Sequence, residues 1–195
     1  MRRYHSRRIA GAAGLCAGIA LCCSCSLSAP TEFLTLQPVA PDALSAPIRA
    51  DPIRVIAVHV PPWLDRLEVA RPTGGDSIAV EEFERWSAPV GDLALTALTK
   101  DLADRLTGVL VLPARAAAPP ATRDVSVDLV SLVPHGGSIE LDATATVTDA
   151  RSGALILSLP FHLQGFASPT DAADEALVLD RFIGQLADRL AARLS

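Results

Sequence analysis

The groups with the clearest chemistry are four thiols, Cys16, Cys22, Cys23 and Cys25, and no cysteine occurs in the rest of the 195-residue chain. A disulfide framework or a cysteine metal site downstream is therefore excluded. All four lie in or just after an uncharged apolar run, residues 9–23, which follows Arg2, Arg3, Arg7 and Arg8. A cationic start before an apolar stretch of about 15 residues is the layout of a secretory signal peptide, and it falls short of the about 20 residues needed to span a bilayer. Ser24 supplies the small residue that lipoprotein signal peptidase requires before an acylated cysteine, and polar, Pro-containing residues 26–32 follow. This predicts a signal peptide over residues 1–24, cleavage before Cys25, lipidation of Cys25 and a tether over residues 25–31. Cys22 stands where Leu is usual three positions before the cut, so Cys23 remains the alternative, as does an ordinary signal peptide rich in cysteine. Several acyl chains on one residue give lasting anchorage where one gives only marginal binding. Ser26, in place of the Asp that commonly retains lipoproteins at the inner membrane, points to the periplasmic leaflet of the outer membrane. A twin-arginine signal at Ser6-Arg7-Arg8-Ile9-Ala10 fits its flanks poorly.

No second reactive constellation emerges. His135-Gly136-Gly137 has the form of an esterase oxyanion turn, yet no G-x-S-x-G elbow exists to partner it, and a hairpin turn explains both glycines. His59 and His162 fall in expected strands without the short spacing of a zinc site. Glu81, Glu82 and Glu84 are adjacent carboxylates that read as acids favoured by the start of a helix dipole, not as an acid–base pair. The expectation is a non-enzyme with no metal and no cofactor. Removing residues 1–24 takes four of the 17 basic residues and none of the 22 acidic ones, leaving a net charge of −9. That balance excludes nucleic acid as a partner.

Two segments place the only tryptophans beside arginine and acid, Val58-His59-Val60-Pro61-Pro62-Trp63-Leu64-Asp65-Arg66 and Glu82-Phe83-Glu84-Arg85-Trp86. Both rings could simply pack on the core edge. Trp and Arg are also enriched at interface centres, so Trp63, Asp65, Arg66, Arg85 and Trp86 are candidate partner-binding residues.

These residues need elements to hold them. Residues 32–37 read as a short strand, Pro38, Pro41, Pro47 and Pro52 forbid regular structure up to about residue 52, and the branched run at 53–60 reads as a central strand covered on both faces. Short strands are expected at 67–70 and 77–80 around a turn at 72–76. From Phe83 the pattern turns helical, with Leu93, Leu95, Ala97, Leu98, Leu102 and Leu106 on three- and four-residue steps and Pro89 in the first turn or at an entry kink. Residues 109–112 form a short strand, and residues 124–163 alternate without a fault as a three-strand meander whose turns carry glycine. A last helix is expected with Ser168 as N-cap, Pro169 and Asp171 in its first turn, and Leu179, Phe182, Ile183, Leu186, Leu190 and Leu194 as its stripe. The fold class is α+β, a two-layer sandwich in which two long amphipathic helices cover one face of a mixed, mostly antiparallel sheet, in a single domain over residues 32–195.

Taken in order, a lipidated Cys followed by Phe33-Leu34-Thr35-Leu36, the V-x-V-P-x-x-L-D-R run at 58–66 and the E-F-x-R-W run at 82–86 resemble the PqiC-type lipoproteins, auxiliary components of ABC-type or MCE transport systems. The resemblance covers roughly residues 31–194. Phe33 stands where Tyr is usual, and Ala145-Thr146 where an aromatic is usual. The resemblance implies a non-enzymatic outer-membrane lipoprotein that docks on a periplasmic MCE protein carrying lipid between membranes, and it leaves room for assembly into homo-oligomeric rings. Two other readings stand beside it, an activator of a cell-wall synthase and an envelope hydrolase with an unrecognised site.

Overall fold

The computed structural model describes residues 30–41, 47–74, 77–135, 137–166 and 172–195. Cys25, with the other expected signal and most of the tether, lies outside them, as do Gly136, Ser168, Pro169 and Asp171. The chain divides into two compact units, Met1–Pro30 and Thr31–Ser195, and all the described elements fall in the second.

The alternating residues form the expected meander: β6 (Arg123–His135), β7 (Ser138–Asp149) and β8 (Leu155–Phe166) pair antiparallel. Period-two alternation turns Val125, Val127, Leu141, Ala143, Ala145 and Val147 into the core and leaves Ser126, Asp128, Asp142 and Thr144 on the other face. On the far side of β6, β2 (Ile53–His59) joins in parallel, followed by the two-residue β5 (Val111–Leu112), to give the order β5-β2-β6-β7-β8. Two helices, α1 (Val90–Arg105) and α2 (Ala172–Leu194), pack on one another and on one face of this sheet. The result is the α+β sandwich with a mixed sheet. Its core gathers Leu98, Leu102, Phe182, Leu186 and Leu190 against the sheet, and each such side chain, fully buried, contributes about 1.5–3 kcal/mol.

The first half of the chain departs from expectation. β1 (Glu32–Leu34), β3 (Glu68–Gly74) and β4 (Ser77–Trp86) form a separate sheet of order β1-β4-β3. The segment from Phe83, expected to be helical, is therefore strand up to Trp86, and Glu81, Glu82 and Glu84 are strand residues rather than helix-start acids. Backbone pairing decides this: β4 is hydrogen-bonded on both sides, by β1 in parallel and by β3 antiparallel. Pro89 disfavours helical geometry in the residue before it, and with φ −50° it caps a helix that begins at Val90.

Two strands are less covered than their apolar character suggests. β2 buries Ile53 and Val55 but exposes Ile56, because alternation turns it with Arg54 to the open face of the sheet, and a register shift between Val55 and Ala57 inserts an extra residue against β6. It is covered on one face, not two. In β8, Phe161 and Leu163 are buried while Leu155 is 65 % exposed. Helix α1 ends in a Leu106 N–H that donates to the Leu102 carbonyl, and Gly108 follows at φ +89°, where a Cβ would stand 2.8 Å from the Ile48 carbonyl oxygen.

Candidate docking surface

The structure separates the five residues expected at an interface. Trp86 is 2 % exposed and belongs to the core with Leu34, Leu64 and Val69; its backbone N–H donates to the Leu67 carbonyl at 2.7 Å, and its indole N–H finds no partner among the described residues. Trp86 is thus a core residue and not a contact for a partner. The reason is strand alternation: β1 and β4 lie in register with Leu34 opposite Trp86, both inward, and Phe33 opposite Arg85, both outward. Trp63 is half-buried against the core edge, and the Asp65 carboxylate lies close to Gly91 at the start of α1.

Arg66 and Arg85, distant in sequence, meet around Glu68. Arg66 Nε donates to the Glu68 carboxylate at 3.3 Å, and Arg85 is its cross-strand neighbour. The Glu68 carboxyl is held below the usual carboxylate range, by a backbone hydrogen bond first and then by Arg66 and Arg85. Exposed apolar side chains surround the trio: Phe33 at 66 %, Leu67 at 45 % and Phe83 at 38 %.

On the inward side, sequence reading missed two ion networks. The strap that leaves β1, residues 35–41, runs along both helices and is fastened by buried charge. The Val39 N–H donates to Asp101 of α1 at 2.7 Å, the Gln37 N–H donates to Asp180 of α2 at 2.8 Å, and Arg105 donates to the Val39 carbonyl at 2.9 Å and to Asp188 at 2.5 Å. Burial pushes the Asp101 carboxyl up to about 6 and raises that of Asp180. Gly184 of α2 faces the strap, where a Cβ would stand 3.0 Å from Val39 Cβ. In the second network, Arg71 of β3 holds three carboxylates, Glu175 at 3.0 Å, Glu81 at 2.6 Å and Glu84 at 3.4 Å, and so joins the small sheet to α2. Burial raises the Glu175 carboxyl, against the pull of Arg71. One signal was present in the sequence: Asp101, Arg105 and Asp180 interrupt otherwise apolar helix stripes.

The open face of the five-stranded sheet is polar. Arg54 clasps Asp124 through two bonds of 2.8 and 2.7 Å, and Asp142 accepts from Ser131 at 2.9 Å and contacts His162 Nδ1 at 2.8 Å. The aspartate raises the His162 imidazole above its ordinary value. This serine, aspartate and histidine do not form a nucleophilic triad, because the carboxylate sits between the other two and the serine hydroxyl donates to it rather than to the imidazole. A void of about 10 Å³ between helices and sheet, lined by apolar residues such as Val58, Leu98, Val127 and Phe182, is too small and too apolar for a ligand. Among the described residues, no group of three or more His, Cys, Asp or Glu could hold a metal ion, and no helix is long and apolar enough to cross a membrane.

Fold and surface together define an α+β domain in which two helices cover one face of a mixed sheet. The chain belongs to the family of ABC-type transport auxiliary lipoprotein components, whose model matches residues 34–191. That is a family of transport components and not of enzymes. Two solved structures share the fold: an uncharacterized protein, at 16 % identity and TM-score 0.67 over 86 % of this chain and 100 % of its own, and XCC0632 from Xanthomonas campestris, a DUF330 protein, at 15 % identity and TM-score 0.62 over 82 % and 91 %. No curated protein matches the chain.

Proposed function

We propose that this transport auxiliary lipoprotein serves an MCE-type system that moves lipid between membranes: anchored through Cys25 in the periplasmic leaflet of the outer membrane, it docks the periplasmic MCE protein to that membrane. The observation that carries the reading is family membership joined to a sheet face that no described element covers, whose Ser126, Asp128, Thr144 and Ser158 offer a polar surface backed by two packed helices. Such a face suits a partner that is recognised by hydrogen bonds and charge. The twelve-residue edge strand β8, with Leu155 and Ile156 exposed, supports assembly of several copies into a ring, since an unpaired edge is a template for another chain.

The test is photo-crosslinking from Asp128 and Ser158 in cells. Capture of a periplasmic MCE protein is the expected result, with detergent sensitivity when the gene is deleted. Capture of a peptidoglycan polymerase in its place would overturn the reading in favour of a cell-wall synthase activator. Mass spectrometry of the mature N-terminus is expected to find the acylated residue at Cys25.

A further inference from the structure

The outward face of the small sheet is anomalous for this molecule. The mature chain carries a net charge of −9, yet here two arginines, Arg66 and Arg85, share a single carboxylate, Glu68. Among the other acids of these strands, Glu32 and Glu84 pair in register on the side opposite Phe33 and Arg85, Glu81 and Glu84 are bound to Arg71, and Glu82 is exposed beside Phe83. The same face exposes Phe33 and Phe83, large apolar side chains that a water-facing surface does not need, with Leu67 exposed at its edge. Arginine beside exposed aromatic and aliphatic groups is the composition of a surface that rests at a lipid–water boundary, where the guanidinium meets phosphate and the rings enter the headgroup layer.

Chain length adds a second, independent argument. Phe33 is eight residues beyond Cys25, so even a fully extended chain holds it within about 29 Å of the anchored residue. The strand that carries Phe33 is also fixed to the body of the domain, since the strap after it is clamped by Asp101, Asp180 and Arg105. An acidic domain held this close to an anionic bilayer is repelled over most of its surface within a Debye length, and a face on which two arginines share one carboxylate is less repelled and can approach.

We propose that the face formed by Phe33, Phe83, Arg66 and Arg85 lies on the phospholipid headgroups of the membrane that holds the lipid anchor, and so sets the orientation in which the five-stranded sheet is presented. The inference rests on lipidation of Cys25. Anionic phospholipid is the occupant because the patch pairs cationic with apolar groups. The consequence is mechanical: the domain leans on its membrane instead of swinging on the tether, which lowers the entropy lost when a partner docks.

The experiment uses the lipid-modified mature chain in vesicles of phosphatidylethanolamine and phosphatidylglycerol. No cysteine follows Cys25, so single cysteines at Phe33, Phe83 and, as a control, Ser158 accept an environment-sensitive dye cleanly. Dyes at 33 and 83 are expected to shift to the blue and to be quenched by chain-brominated lipid, while the dye at 158 is not. Arg85→Glu should reduce that quenching about fivefold, as expected for one cation at an anionic surface, and Arg66→Gln should reduce it without adding a negative charge. Circular dichroism of each variant confirms the fold. A chain that floats with the vesicles while its dyes at 33 and 83 stay no more quenched than at 158 overturns the inference and leaves the anchor intact. Failure to float defeats the anchor and the inference with it. Dyes that ignore lipid but become protected on adding an MCE protein would make the patch a protein dock and overturn the membrane assignment.

Discussion

Val39 donates its backbone N–H to the Asp101 carboxylate at 2.7 Å and accepts from Arg105 at its carbonyl at 2.9 Å, and these two bonds fasten the strap leaving β1 to helix α1. The second carboxylate oxygen of Asp101 is buried without a partner among the described residues. Burial pushes this carboxyl up to about 6, Val39 and Arg105 opposing and Asp104 and Asp180 adding to the rise.

The folded chain therefore holds the Asp101 proton more tightly than the unfolded chain, whose carboxyl titrates near its ordinary value of about 3.9. The stability this group contributes is fully present below that ordinary value and is lost as pH rises through about 6, on the order of 3 kcal/mol in all. Asp180 and Glu175 are raised by burial too and act in the same direction. Asp101→Asn should flatten the pH dependence between about 4 and 6. Urea denaturation across that range checks it, and an unchanged slope would refute the assignment.

Gly184 sits inside α2, where alanine ordinarily stabilises by about 1 kcal/mol. Here the added Cβ would press on the Val39 Cβ at 3.0 Å, with the strap already pinned on both sides. Gly184→Ala should therefore destabilise, by about 1–3 kcal/mol, visible as a lower urea midpoint. A rise in the midpoint would show that the strap moves aside freely.

Arg71 holds Glu175, Glu81 and Glu84 together, and Glu175 is nearly buried. Replacing Arg71 by Met leaves a buried carboxylate without its counter-ion, a change that costs about 3–5 kcal/mol at neutral pH. The loss should shrink as pH falls, since Glu175 without the arginine takes up a proton more readily still. Thermal melts of Arg71→Met and the parent chain at neutral and mildly acidic pH provide the comparison.

Trp86→Ala and Arg85→Glu separate the two sides of one strand. Trp86→Ala empties a core site and should cost about 3–5 kcal/mol. Arg85→Glu changes an exposed residue and should leave the urea midpoint nearly where it was. Equal effects on stability would contradict the alternation that turns Leu34 and Trp86 inward and Phe33 and Arg85 outward.

The reach of the sequence can be traced through single elements. The meander was legible because Val125, Val127, Leu141, Ala143 and Val147 alternate with polar residues, a local pattern that needs no knowledge of what lies across the sheet. The α2 stripe was legible for the same reason, through Leu179, Phe182, Leu186 and Leu190. β4 was not legible, because Glu82 to Trp86 has no clean alternation and is strand only by pairing with β1 and β3, which lie far from one another along the chain. Trp86 in the core and Arg85 outside follow from that pairing. The candidate interface was thus half readable: the residue types drew attention to the segments, and only the strand register told which side chain faces water.

By itself the sequence determined the α+β class, the meander, the two long helices and the cysteine-free body, all of which rest on composition or on periods of two and 3.6 residues, while the family resemblance rested on the motifs at 33–36, 58–66 and 82–86. Tertiary structure alone decided that Arg66 and Arg85 meet at Glu68, that Arg71 gathers acids from β4 and α2, and that Asp101 and Asp180 clasp a strap from 62 and 143 residues away. The physical reason is common to all three. A charged side chain keeps the same identity whether it is solvated or paired, and its partner is chosen by the packing of elements whose own formation says nothing about which of them will touch.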